Sequence, residues 1–336
     1  MTTTTTTADR PAVRRFVLVT LILPLVLTVV AVVIQLLVLP TLPDPVAIHW
    51  NAAGRPNGFG PVWLTPLLTV VVGLGIPALI AATALSSLRR GDRGFTYRLL
   101  GAVALATSAL MAVLGTWTTV LQSGLDDAAD GPAIGWALVA AFVIAAGAGV
   151  AGWLLQPHEP WQSHAVVPTD ALQLAAGERA VWLQSVSIAP SGMFVLGAAV
   201  MLMIATTVML AVAESDPAAT WIMLLVTIVI VALVATCVAF HVRIDDEGIR
   251  INSVVGWPSV HVPLADVESA APVFVSPMGE FGGWGLRWAA GRFGVVLRTG
   301  EGIEVRRRGG KTLTVTVDDA ETGAALLNAL AARAIR

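Results

Sequence analysis

One cysteine in 336 residues, Cys237, leaves no partner within the chain for a disulfide and no second thiolate for a metal site. Charge is scarce too. Asp, Glu, Lys and Arg make up 12% of the residues against 56% hydrophobic, a balance well outside that of a soluble domain. The scarcity is patterned. Six apolar runs, approximately 16–39, 62–85, 99–121, 133–155, 193–213 and 218–240, hold no Asp, Glu, Lys, Arg or His in their interiors. Each reaches the roughly 20 residues a helix needs to cross a bilayer. Proton- and ion-coupled carriers usually keep an ionisable group at mid-membrane, and this chain has none there.

Basic residues fall in alternate gaps between the runs. Arg10, Arg14 and Arg15 precede the first, Arg89, Arg90, Arg93 and Arg98 fill the second gap, Arg179 the fourth, and the rest follow the last run. Only Arg55 breaks the pattern, while Asp126, Asp127, Asp130, Glu214 and Asp216 lie in the other gaps. The positive-inside rule then expects both termini in the cytoplasm of a bacterial cell, with the chain multi-pass in the inner membrane. The stretch Phe16–Leu39 is too long for a signal-peptide core and reads as a retained helix. Trp63, Trp136, Trp221 and Trp117 mark outer span ends and Trp153 an inner one, as indole rings at headgroup level do. Pro24 and Pro77 should kink their spans or mark close packing, and Gly147, Gly149 and Gly152 make one helix face small. The segment Gly73–Pro77 is a candidate helix break of the kind carriers use.

The gap at 40–61 is not a neutral linker. Pro40, Pro43 and Pro45 stiffen it, Val46, Ile48 and Trp50 alternate as in a short strand, and Asn51, Gly54, Asn57, Gly58 and Gly60 supply turn chemistry. Pro43, Pro45, His49, Asn51, Gly54, Asn57, Gly58 and Gly60 together resemble the domain of unknown function numbered 1648. That module opens many bacterial multi-span proteins, including the SdpI-type immunity proteins that protect against a secreted peptide toxin. The resemblance covers about residues 20–70. Pro61-Val62-Trp63 departs from it where a lysine or other polar residue is common. It implies a membrane module without established chemistry, and it makes Pro43, His49, Asn51, Gly54, Asn57 and Gly58 the candidate recognition residues for a peptide or protein ligand. Near His49 only Asp44 and Asn51 offer further donors, short of the three ligands of catalytic zinc.

The fourth gap carries His158-Glu159-Pro160-Trp161-Gln162-Ser163-His164, whose spacing and Pro160 do not fit a helical zinc motif. The segment Leu174–Trp182 leads into a strand over 183–189 and resembles the entry of bacterial pleckstrin-homology-like domains. After Phe240, strands are expected at 240–245, 248–254, 259–263, 266–275, 294–299, 302–308 and 312–317, with a hairpin at Gly300. Asp318 or Asp319 should cap a final helix whose apolar stripe is Ala325, Leu326, Leu327 and Leu330. Seven strands and a helix resemble the pleckstrin-homology-like fold.

Within that region the glycine-rich loop 276–288 matches no nucleotide-binding pattern. It presents two tryptophans, Trp284 and Trp288, read as exposed beside Arg287 and Arg292. Trp284, Arg287, Arg306, Arg307 and Arg308 are the candidate contacts for anionic lipid or a cytosolic protein. Acidic residues accompany these arginines, so nucleic acid is not an expected partner.

The expected fold is therefore an α-helical polytopic membrane protein of six transmembrane helices with a C-terminal cytosolic β-rich domain. The divisions are a disordered tail 1–15, a four-helix module 16–155, a cytosolic loop 156–192, a helical hairpin 193–240 and the β-domain 241–336. No catalytic, metal or cofactor residue is assigned. The expected role is a non-enzymatic sensor, immunity-like or scaffold protein, with a transporter or channel component as the alternative.

Overall fold

The computed structural model describes residues 10–51, 53–159, 172–175, 178–212, 217–289 and 291–334. The N-terminal tail 1–9, most of the second histidine's surroundings (160–171) and Glu214 and Asp216 lie outside them. The chain divides into two compact units, residues 1–161 and 162–336. Among the described residues, six helices are long and apolar enough to cross a membrane. This is a multi-pass membrane protein.

The first unit holds four of them. The first span comprises α1 (Arg10–Val17), a π-helical turn (Leu18–Ile22) and α2 (Leu23–Val38). Pro24 stands at the second position of α2, one residue past the turn; its ring would strike the carbonyl four residues back in a regular helix. The wider turn, closed by Leu23 N–H on the Leu18 carbonyl, relieves that clash. Two short strands, β1 (Val46–Trp50) and β2 (Pro56–Gly60), pair antiparallel before α3 (Leu64–Arg89). Then come α4 (Phe95–Leu121) and α5 (Gly135–Leu154). α4 is the hub, packing on α2, α3 and α5. Most of its buried positions are small, Gly101, Ala102, Ala104, Ser108, Ala109 and Ala112 among them, so backbones approach closely. Gly149 and Gly152 meet α4 at Ala106, Ala102 and Leu105 as the sequence suggests, whereas Gly147 faces no neighbour.

α3 runs unbroken through Pro77, so the candidate break at Gly73–Pro77 is not used. The reason is chemical. Proline at 77 frees the carbonyl of residue 73, and the Ser108 hydroxyl of α4 donates to that Gly73 oxygen. With the carbonyl satisfied, the helix continues.

The second unit opens with β3 (Trp182–Ser187), then the helical hairpin α6 (Pro190–Val212) and α7 (Pro217–Cys237), whose facing Thr207 and Thr227 hydroxyls lie 3.2 Å apart. Strands β4 (Ala239–Asp245), β5 (Gly248–Ser253) and β6 (Ser259–Pro263) extend β3 into a four-stranded antiparallel sheet, β3-β4-β5-β6. A second sheet is built from β7 (Val267–Val275), β8 (Gly285–Ala289), β9 (Arg292–Val296), β10 (Gly300–Arg307) and β11 (Thr312–Thr316), in the order β7-β10-β11-β9-β8. One turn of helix, α8 (Pro277–Glu280), sits between β7 and β8, and α9 (Ala320–Ala334) packs against both sheets. The core between them is fully buried aliphatic and aromatic: Phe240, Val242, Ile244, Ile249, Ile251, Leu297, Ile303 and Leu327.

Two sequence expectations change here. Gly300 does not close a hairpin: β11 lies between β9 and β10, parallel to β9. The connection is pinned instead by Leu297 N–H on the Thr316 hydroxyl and Val317 N–H on the Glu301 carbonyl. The glycine-rich segment 276–288 is not all loop, because its end forms β8 against β9. The final helix starts after Asp319, as expected, and that carboxylate accepts from the Thr322 hydroxyl at 2.7 Å.

Candidate functional site

The candidate recognition loop is a hairpin braced by hydrogen bonds among its own motif residues. Pro43 is buried. With its amide oxygen turned to the ring, Asn57 lies in a 2.6 Å hydrogen bond with His49 Nδ1. Gly58 faces that histidine so closely that a Cβ there would lie 2.8 Å from the His49 Cβ. Asn51 Oδ1 accepts from Ala53 N–H at 2.9 Å and Arg55 N–H at 3.1 Å, shaping the turn. Gly54, at φ +74°, completes it in a conformation that disfavours other residues. The Gly54 carbonyl accepts from Ile134 N–H at 3.1 Å, docking the tip on the start of α5.

Gln122 anchors the base. Its Oε1 accepts from Ala47 N–H at 2.6 Å and its Nε2 donates to the Ala47 carbonyl at 3.1 Å, as a neighbouring strand would. Ala47 is 1% exposed, so the side chain bonds both polar groups of a buried residue. Sequence reading missed Gln122: it stands just past an apolar run, 75 positions from its partner. His49, Asn57 and Arg55 keep exposed surface, and Ile48 and Phe59 add apolar surface beside them.

Beneath the hairpin, inside the span bundle, lies a polar cluster. Gln35 is wholly buried, and its Nε2 donates to Thr69 at 3.1 Å and Thr116 at 3.3 Å. Gly115 makes room, since a Cβ there would come within 2.7 Å of the Thr69 hydroxyl. Among the described residues, Gln35 Oε1 and Thr28 Oγ1 are buried without a hydrogen-bond partner.

At the opposite end of this unit the arginines close the helices. Arg98 stacks 4.3 Å over the Trp153 ring, donates to the Trp153 carbonyl at 3.1 Å and reaches His158 Nδ1 at 3.1 Å. Arg15 donates to the Leu155 carbonyl, and Arg93 pairs with Glu159. His158 is thus spent on Arg98; the second histidine of that motif, His164, lies outside the described residues.

In the β-unit the predicted contacts separate. Trp284 is half-buried rather than exposed, its carbonyl accepting from Arg287 Nε at 2.9 Å; the exposed indole is Trp288, 78% accessible and tilted on Phe293. Arg292 sits between Glu280 at 3.0 Å and Glu304 at 3.4 Å, 5.0 Å over the Phe281 ring. Burial pushes the Glu280 carboxyl above its usual range, opposed by Ser276 N–H and Arg292. Arg307 pairs with Asp266 at 3.1 Å, whereas Arg306, Arg308 and Lys311 are exposed. Arg307, Lys311, Trp288, Phe293, Val260 and Val262 line a depression of about 370 Å³. Among the described residues no group of three or more His, Cys, Asp or Glu is placed to hold a metal.

Hairpin, buried cluster and spans define the class: a polytopic membrane protein carrying a structured inter-span module. Residues 26–74 match DUF1648, a domain of unknown function. The matched segment runs from α2 through the hairpin into α3, so it contains Gln35, every motif residue of the loop, Thr69 and Gly73, but not Gln122 or Ser108. No curated protein and no solved structure matches the chain.

Proposed function

We propose that this chain is a non-enzymatic sensor or immunity-like scaffold of a bacterial inner membrane, recognising a peptide or protein through the β1–β2 hairpin. The carrying observation is how the motif is used. His49, Asn51, Gly54, Asn57 and Gly58 hold one another and the hairpin's shape, while Gln122 and Ile134 fix it to the helices. A preformed surface binds with a smaller ordering cost. Both termini are cytoplasmic in this reading, supported by the arginines that cluster at the helix ends away from the hairpin. The kinship with SdpI-type immunity proteins rests on the shared loop motif. The β-unit is pleckstrin-homology-like in its antiparallel sheet and C-terminal helix, and departs from the seven strands expected after 240 by having eight there, β4–β11, and by the parallel β9–β11 pair. Its basic turn, Arg306–Lys311, would take an anionic partner.

Transport is the second reading, favoured by the unpartnered Gln35 Oε1 inside the bundle and weakened by the unbroken α3. A photo-crosslinking residue at Ala53, whose side chain bears no structural bond, tests the first. Capture of a defined secreted peptide or membrane partner, abolished by Gln122→Ala, is the expected result. Lipid alone under every growth condition would overturn it and leave transport.

A further inference from the structure

The turn joining β5 to β6 reads Val254-Val255-Gly256-Trp257-Pro258, five residues without charge. Its three large side chains stand open: Val254 is 56%, Val255 58% and Trp257 68% exposed. Three adjacent exposed hydrophobes at a water-facing hairpin tip are an aggregation hazard that proteins normally remove. The backbone here is ordered by its own bonds. Ser253 N–H donates to the Pro258 carbonyl at 3.0 Å and Gly256 N–H to the Ser253 carbonyl at 2.8 Å, with Gly256 at φ +88°.

The place of this turn in the fold explains it. Val254 N–H donates to the Ala239 carbonyl at 3.1 Å, and Ala239 stands two residues after Cys237, the last residue of α7. Phe240 pairs with Ser253 on one side, and Ala239 with Ser187 on the other, three residues before α6 begins at Pro190. Ile188 N–H closes the junction on the Val238 carbonyl at 2.9 Å. The turn therefore lies at the sheet end from which both membrane helices depart. The headgroup zone is only about 5–7 Å deep on each side of the hydrocarbon core, so a tip bonded to that junction reaches it.

We infer that Val254–Trp257 is a membrane-inserting tip, which seats the β-unit on the bilayer that α6 and α7 cross. Indole and valine suit that boundary: tryptophan prefers headgroup level and the valines the acyl edge. The basic turn is at the other end. β10 starts at Gly300 near the α6 junction, where Ala189 N–H meets the Leu297 carbonyl, and finishes at Arg307 beside Lys311. Trp257, not Trp288 or the Arg306–Arg308 run, is thus the lipid-facing group of this unit. The inference needs α6 and α7 to span but does not depend on what the β1–β2 hairpin recognises.

The test is spin-label depth measurement on the full chain in vesicles of phosphatidylethanolamine and phosphatidylglycerol. Cys237→Ser removes the native thiol; Val255→Cys and, separately, Gly309→Cys carry the label. The expected result is a ratio of oxygen to water-soluble nickel-chelate accessibility several-fold higher at 255 than at 309. Equal, water-like ratios would overturn the inference, and so would a label at 255 shielded from both reagents, which marks protein contact with a second copy or a partner. Should the labelled chain not fold, the wild-type chain serves: a photoreactive group at the acyl-chain head should label the peptide bearing 254–258, and its absence from that peptide overturns the inference.

Discussion

The two units bury opposite kinds of residue. Between α2, α3, α4 and α5 the interior is Ala31, Ala81, Ala104, Ala109 and Ala112 with Thr28, Gln35, Thr69 and Ser108, while Leu25, Val26 and Leu37 point outward. In the β-unit Ile244, Ile249, Ile251, Leu297 and Ile303 are all inside. The reversal follows from the solvent. Water makes burial of an isoleucine favourable by about 1.5–3 kcal/mol, whereas lipid offers as apolar a neighbour outside as inside. Close approach of small residues and neutral hydrogen bonds then hold the helices, and the paired spans gain cohesion from polarity.

The largest break in that comparison should come from truncating one large aliphatic in each unit. Ile251→Ala, in the centre of β5, should cost about 2–5 kcal/mol and make the β-unit sensitive to protease at lower temperature. Leu37→Ala, 75% exposed on α2, should cost less than about 0.5 kcal/mol in the bilayer. Equal losses would mean that Leu37 is covered by protein rather than lipid.

Next in size is the clamp on the hairpin. Gln122→Ala removes the partners of a buried N–H and carbonyl, groups worth about 1–3 kcal/mol each when left bare. The hairpin can lift to water, so the loss appears as local opening. Amide exchange at Ala47 should accelerate at least tenfold, the ratio for about 1.4 kcal/mol. Unchanged exchange would show that the Gly54–Ile134 contact docks the hairpin alone.

A smaller effect sharpens the reversal from the other side. Gln35→Leu deletes bonds to Thr69 and Thr116 but also removes a buried oxygen that has no partner. Interhelical polar contacts in membranes average about 0.6 kcal/mol, so the thermal stability of the helical unit should fall by at most about 1 kcal/mol. A drop of about 3 kcal/mol or more would make this cluster the keystone of the bundle.

Legibility followed the same division. The six spans are plain in the sequence because lipid demands unbroken apolar length, and the structure keeps each within a few residues. Pro77 invites a break only when α3 is read alone; Ser108, in another span, supplies the missing donor. The strands after 240 follow their alternation closely, yet β9 and β10 do not pair, since local turn chemistry at Gly300 says nothing of β11 inserting between them. β8 was hidden by the glycines that lead into it, Gly282, Gly283 and Gly285, which all take positive φ and read as loop. The hairpin motif was visible as chemistry, but its grip on Gln122 and Ile134 is a tertiary fact. So is the exposed tip at Trp257, whose meaning depends on Ala239 lying beside it.

The β-unit does admit charge to its interior flank, and there the sign of its pH response can be worked out. Glu280, 7% exposed, has its pKa raised in the fold, first by burial, against the pull of Ser276 N–H and Arg292. Between the ordinary value near 4.5 and that raised value, the folded chain holds the proton more tightly than the unfolded one. Stability from this group is therefore present at low pH and is lost as pH rises through that window. Arg292 keeps Glu304 as a partner when Glu280 is protonated, so the loop stays pinned. Glu280→Gln mimics the neutral form and should flatten the dependence: the melting temperature of wild type, relative to the variant, should climb as the buffer is acidified through the window. A difference constant across that range would mean that Arg292 compensates the burial in full, and that the β-unit tolerates a buried charge as readily as the spans tolerate Gln35.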